Sequence, residues 1–293
     1  MSGKRTNFWA LIATYAALIV VCSLAVIPFL WMVSTSLKPD REVMAYPPRW
    51  LPRHIETNRH GIPTNYALAI SSDHTNFRLW TRNTLIVAAL SVLGTTLSSA
   101  LVAYGFARIR FRGRGLLFGL VLSTMMIPFP VIMGPLFVIF IWLGRHTPFD
   151  WMGTFKPLWV PQWFGSAFNI FLLRQFFVTI PEELSEAARI DGCTELGIFW
   201  RVMLPLSRPA LSVVALFTFL WAWRDFMGPL VYLQYPSQYT LSLGLQTFQS
   251  QNGATPWNQL MAASVLVILP VLVLFFMAQK TFIEGIATTG MKG

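Results

Sequence analysis

Apolar residues gather in long stretches separated by polar segments. A helix needs roughly 20 predominantly apolar residues to cross the hydrocarbon core of a bilayer. The stretches at about 8–32, 84–106, 116–143, 158–178, 209–232 and 260–278 meet that length. They predict an all-α integral membrane fold of about six transmembrane helices. The third stretch holds Pro128, Pro130 and Pro135. Proline removes a helix hydrogen bond, so this span is expected to kink or break where protein or water can satisfy the freed carbonyl. No repeat of fixed period and no low-complexity linker divides the chain, which is expected to form a single transmembrane domain over 1–293.

Composition agrees with this reading. The chain is 55% hydrophobic and only 12% charged, about half the charged share of soluble domains. A net charge of +10 would raise the question of nucleic acid in a soluble protein. No basic run here is interleaved with aromatics as a strand-binding groove requires, and cationic loops that fix orientation account for the excess.

The placement of Lys and Arg sets the orientation. Arg108, Arg110, Arg112 and Arg114 crowd the short loop between the second and third spans, a cytoplasmic mark under the positive-inside rule. The loop from Leu233 to Asn258 has no charged residue and fits the outside. Lys38 to Arg82 runs against the rule, being basic yet external, with Asp40, Glu42, Glu56 and Asp73 as acidic neighbours. Lys4 and Arg5 precede the first span like the n-region of a signal peptide. The apolar run is too long for an h-region and no small-residue cleavage site follows closely. The first span is therefore expected to remain as an anchor, with both chain termini cytoplasmic.

Candidate catalytic chemistry is sparse, and an enzyme is not expected. The chain has no G-x-x-x-x-G-K-[ST] phosphate loop and no triad or carboxylate pair in a plausible catalytic setting. His54, His60, His74 and His146 fall in expected external loops without metal-ligand spacing. Cys22 and Cys193 fall on different levels of the topology, too far apart for a disulfide. Arg224 and Asp225 stand out in the outer part of the fifth span, because charges at membrane depth usually face a cavity or a partner. Solvation in the headgroup region is the competing reading. Trp221 and Trp223, with Trp142 and Phe226, could stack on the face of a ligand, although most membrane tryptophans are packing or interfacial anchors.

The polar segment at 179–208 carries the most information. Pro181 suits a first helical position, with Glu182 and Glu183 where the helix dipole favours negative charge. Gly192 provides a stop, and Thr194 can cap a second helix ending before Pro205. Leu184, Ala187 and Ala188 share one face of the first helix and Glu186 projects from a neighbouring one. Small residues at Ala187, Ala188 and Gly192 would let another surface approach the backbone. Periodicity alone fits an amphipathic helix on the lipid headgroups equally well.

The run Glu186-Ala187-Ala188, then Asp191-Gly192, then Leu204-Pro205-Leu206 and Pro209 resembles the EAA loop of ABC importer permeases. TSLKP, RNTLIVA, AYGFARIRFRGRG, MMIPFPV, FNIFLLRQFF and YTLSLGL, in that order, resemble the maltose-type carbohydrate branch of the family. Two departures stand out: Cys193 where the family usually has Ala, and Trp223-Arg224-Asp225 where it usually has Trp-Asn and an acid.

The resemblance implies a type I importer permease fold in a prokaryotic cytoplasmic membrane. Its coupling helices would dock into an ATPase cleft, with Glu186 meeting a basic residue and Ala187, Ala188, Asp191, Gly192, Leu204 and Pro205 shaping the contact. Trp221, Trp223, Arg224 and Asp225 would belong to the translocation path or a partner contact. The tail residues Gly290, Lys292 and Gly293 would reach between the ATPase subunits. The implied partners are a second homologous permease, a cytoplasmic ATPase dimer and an extracytoplasmic solute-binding protein. This chain would hold no cofactor, ATP and Mg being bound by the ATPase, and the solute would be a sugar or oligosaccharide. Two alternatives remain at this stage: an ABC permease for another solute such as a polyamine, and a stand-alone secondary transporter.

Overall fold

A computed structural model describes residues 8–71, 76–249 and 255–290, with 280–290 as backbone only. Among the described residues there is no strand beyond an isolated antiparallel bridge between Thr57 and Pro63. The helices run α1 (Phe8–Ser36), α2 (Asp40–Val43), α3 (Thr64–Ser71), α4 (Phe77–Arg108), α5 (Arg114–Ser123) and α6 (Phe129–His146). They continue as α7 (Lys156–Trp159), α8 (Ala167–Thr179), α9 (Glu182–Ile190), α10 (Glu195–Ile198), α11 (Leu204–Leu206) and α12 (Arg208–Arg224). The chain closes with α13 (Met227–Tyr232), α14 (Leu241–Gln246) and α15 (Trp257–Gly290).

Four described segments, Phe8–Ser36, Phe77–Arg108, Phe129–His146 and Trp257–Gln279, are each long and apolar enough to cross a membrane. Two sharply bent pairs raise the total to six when each is taken as one span. The third expected span is broken. A short 3-10 turn follows α5, the chain extends at Ile127 and Pro128, and α6 restarts at Phe129. Pro130 falls in the first turn of α6, where its missing N–H is harmless, and Pro135 alone lies inside the helix. The fourth span breaks at Gly165, whose φ of +85° suits glycine, and the fifth breaks at Asp225 and Phe226.

The chain divides into two compact units. In the first, Met1–Asn76 with Leu245–Leu269, the TSLKP segment ties down the end of α1. Buried Lys38 donates from Nζ to the Arg49 carbonyl at 2.6 Å and lies 4.0 Å over the Trp31 ring. The Asn65 amide donates to the carbonyls of Ser36 and Lys38 at 2.9 and 2.8 Å. Burial pushes the Lys38 pKa below its ordinary value, only partly offset by Glu42.

In the second unit, Phe77–Gly244 with Pro270–Gly293, α4 is the hub and packs along both α8 and α12. Its buried face carries Ala88, Ser91, Gly94, Thr95, Ser99, Ala100 and Ala103. Small side chains let helices approach closely in a membrane, where dispersion rather than water exclusion drives association. At Gly94 a Cβ would collide with the Trp163 indole, which donates to the Leu90 carbonyl at 3.1 Å.

Candidate coupling site

The segment 179–208 folds as two short helical pieces lying across the ends of the spans. The axis of α9 is turned 77° from the α7–α8 span, and α12 is turned 82° from the preceding segment Glu195–Leu206. Pro181 caps α9 in extended geometry, one position earlier than its sequence suggested, and Glu182 and Glu183 occupy the first turn. The C-terminus closes in a Schellman motif. The Cys193 N–H reaches back to the Ala188 carbonyl at 2.9 Å and the Gly192 N–H to Arg189 at 3.0 Å. Gly192 sits at φ +83°, and a Cβ there would meet nothing within 4 Å. Backbone conformation is therefore what favours glycine at this position; none of the described residues crowds it.

Thr194 then caps α10, its hydroxyl accepting the Gly197 N–H at 3.2 Å. The second piece does not stop before Pro205. It widens into a π turn over Phe199–Met203 and continues through α11 to Leu206. Widening the ladder just ahead of the proline eases the clash that would otherwise end the helix.

Periodicity alone leaves open which side of α9 faces inward. Ser185 and Ala188 point inward, whereas Leu184 and Ala187 are exposed. Ala188 joins a core with Ile198, Phe199 and Met203 from the second piece and Tyr104, Leu173, Phe177 and Ile180 from the spans. Burying Ile198, Phe199 and Met203 supplies about 1.5–3 kcal/mol each. Cys193 and Leu204 pack against the same core, so the cysteine serves as a small apolar residue. The outer surface presents Glu186, Ala187, Asp191 and Pro205 together with Leu184, Leu196 and Trp200, and Ile190 is 86% exposed. Glu186 has no ion-pair partner among the described residues.

Side chains that sequence reasoning passed over hold this loop to the spans. The Tyr104 hydroxyl, on α4, donates to Glu195 Oε2 at 2.6 Å. The other oxygen of Glu195 pairs with Arg189 Nε at 2.8 Å. Arg189 first, then Tyr104, hold the Glu195 carboxyl below the usual carboxylate range, so it is ionised at neutral pH. One turn beyond Tyr104, the Arg108 guanidinium donates to the carbonyls of Phe177, at 2.7 Å, and Ile180. A cation at the C-terminal end of α8 also complements the helix dipole. Arg108 figured in the sequence only as a topological charge. The AYGFAR run, which places Tyr104 and Arg108 one turn apart, was the available signal.

The fifth-span residues do not converge. Trp223 is buried and stacks on Phe219 at 5.3 Å, so it is a packing residue in this structure. Arg224 is exposed, and Asp225 turns inward to accept the Gly228 N–H at 3.1 Å, capping the first turn of α13. Asp225 and Trp221 do line one cavity, with Gln162 and Tyr232, of about 40 Å³. That holds a water or two and is far below the about 300 Å³ of a ligand pocket. Of the possible stacking aromatics, exposed Trp142 lies on His146 with centroids 4.5 Å apart. His54, His60 and His146 are exposed, and His74 lies outside the described residues. In the tail, Gly290 closes α15 as backbone, while Lys292 and Gly293 lie outside the described residues.

The crosswise loop is matched by relationships across the whole chain. Residues 95–287 match the model of the family described as binding-protein-dependent transport system inner membrane component. The chain belongs to that family. Two of its relatives carry sugar-transport names. The arabinooligosaccharides transport system permease protein of Bacillus subtilis is 35% identical over 229 residues, 78% of either chain. The trehalose/maltose transport system permease protein of Thermococcus litoralis is 31% identical over 277 residues, 94% of either chain. The fold is that of a solved bacterial ABC transporter chain involved in import of the polysaccharide alginate. The TM-score is 0.80 over 96% of this chain and 99% of that one, at 22% identity. As a member of the family, the protein is a multi-span inner membrane component of a transport system.

Proposed function

We propose that this chain is one permease of an ATP-driven, solute-binding-protein-dependent importer for a sugar or oligosaccharide. The observation that carries the reading is the 179–208 loop. It is anchored on one side by a buried core and on the other offers Glu186, Ala187, Asp191 and an apolar surface left exposed among the described residues. An apolar patch with a polar rim is the surface of a docking site, and the docked body is a cytoplasmic ATPase. Glu186 meets a basic residue of its cleft, and the ATPase dimer alone holds ATP and Mg. The subunit is non-catalytic, a second homologous permease completes the path, and both termini lie in the cytoplasm. The whole chain is one permease domain.

ATP closes the ATPase dimer, the docked loops are drawn together, and the spans turn outward to receive solute from the binding protein. Trp221, Arg224 and Asp225 are assigned to the translocation path or a partner contact, with Trp223 packed behind them, and the tail residues Gly290, Lys292 and Gly293 to the ATPase. The sugar reading follows the names of the two relatives. Proteoliposomes containing this chain, the partner permease and the ATPase test it, with binding protein loaded with labelled oligosaccharide. ATP-dependent accumulation of the sugar is expected. Accumulation of a polyamine in its place would overturn the substrate class, and uptake without ATPase would make the chain a secondary transporter.

A further inference from the structure

Glu195 is shared between three helices. One carboxylate oxygen accepts from Tyr104 on α4 and the other pairs with Arg189 on α9, while Glu195 itself opens α10. Both acceptor oxygens are thus committed, so α9 and α10 cannot shift against α4 without breaking a charge-assisted bond. The tie is doubled one turn further along α4, where Arg108 holds the carbonyls of Phe177 and Ile180 at the point where the chain enters α9. Tyr104 and Arg108, four residues apart and on one face of α4, therefore grip the loop in its middle and at its beginning. The covalent links offer no such grip. The loop meets α8 and α12 at bends of 77° and 82°.

We propose that Glu195, through Tyr104, is the positioning residue that makes α4 move with the coupling loop, so that loop displacement enters the bundle through α4. The inference rests on the docking role proposed for the loop. Because α4 packs along both α8 and α12, a loop fixed to it drives the three helices as one body. A loop fixed only by its covalent ends would flex at its two bends. Coupling between sites needs such a discrete linkage and a demonstration that breaking it changes the coupling.

Tyr104→Phe is the decisive change, because it removes one hydroxyl and keeps the ring that packs 5.4 Å from Phe199. The readout is solute carried per ATP hydrolysed by the reconstituted complex. For Tyr104→Phe we expect the complex to assemble and hydrolyse ATP while solute carried per ATP falls about tenfold, the scale of one charge-assisted hydrogen bond. Tyr104→Phe combined with Glu195→Ala should fall no further than Glu195→Ala alone, as expected of residues acting through one bond. A ratio equal to wild type would overturn the proposal, whatever happens to yield. So would failure of both Tyr104→Phe and the milder Glu195→Gln to assemble with the ATPase, since the cluster would then serve folding alone. If wild type itself recovers no ATPase, the docking reading fails instead, which keeps the two failures distinct.

Discussion

The Thr84 hydroxyl accepts the backbone N–H of Leu241 at 2.8 Å, joining residues 157 positions apart. Beside it, the Asn83 amide donates to the carbonyls of Ser237 and Tyr239, both at 3.0 Å. The start of α4, in the RNTLIVA run, is therefore the receptor for the YTLSLGL segment. The two runs appear in the sequence as separate motifs, and the fold makes them one joint.

Asn83→Leu should loosen this joint. It removes two donors and leaves two carbonyls to find other partners, a loss of about 1–3 kcal/mol. A lower melting temperature in detergent, measured by intrinsic fluorescence, is the expected result. An unchanged one would mean that the loop is held by packing alone.

At Gly192 the φ of +83° sets the expectation. Alanine in the left-handed region costs roughly 1–2 kcal/mol, whereas asparagine adopts it more readily. Gly192→Ala should reduce the ATPase recovered with the chain, and Gly192→Asn should retain more of it. Equal recovery by the two variants would contradict the conformational argument.

Glu186→Lys should abolish uptake and leave the amount of membrane-inserted protein unchanged. Its side chain is exposed and has no ion pair among the described residues, so the fold loses nothing when the charge reverses. Immunoblotting of membranes alongside labelled-solute uptake separates the two effects. Normal uptake would remove Glu186 from the docking site.

Lys38 gives a pH dependence. Its folded pKa is lowered by burial, so between that value and the ordinary one, about 10.4, the unfolded chain binds more protons. Stability attributable to this group therefore rises with pH across that window. Wild type should gain on Lys38→Met as pH approaches about 10 and hold a constant difference below the window. Thermal melts over alkaline pH report it, and a difference that shrinks with rising pH would contradict the burial.

Local signals in the sequence foretold local structure. The break at Pro128, the stop at Gly192 and the cap at Thr194 all act within a few residues of themselves, and each appears where its chemistry demands. The face of α9 was not legible in the same way. Leu184, Ala187 and Ala188 share a helical face, yet the buried residues are Ser185 and Ala188, and no pattern within nine residues says which side a neighbour will cover. Pro205 likewise obeys a wider context, since the π turn before it carries the helix onward. Trp223 looked available for a sugar face and is packed on Phe219. The Tyr104–Glu195 bond spans 91 positions. Its two ends lie in separate motifs, and only the packing of α4 beside the loop brings them together.

The central claim, that the 179–208 loop docks this chain onto an ATPase, is tested most directly by purifying the tagged wild-type chain in gentle detergent from its native membranes. Mass spectrometry then identifies what accompanies it. An ATPase and a second multi-span protein in stoichiometric amounts are the predicted result. The chain recovered alone, under conditions that keep other membrane complexes intact, would contradict it.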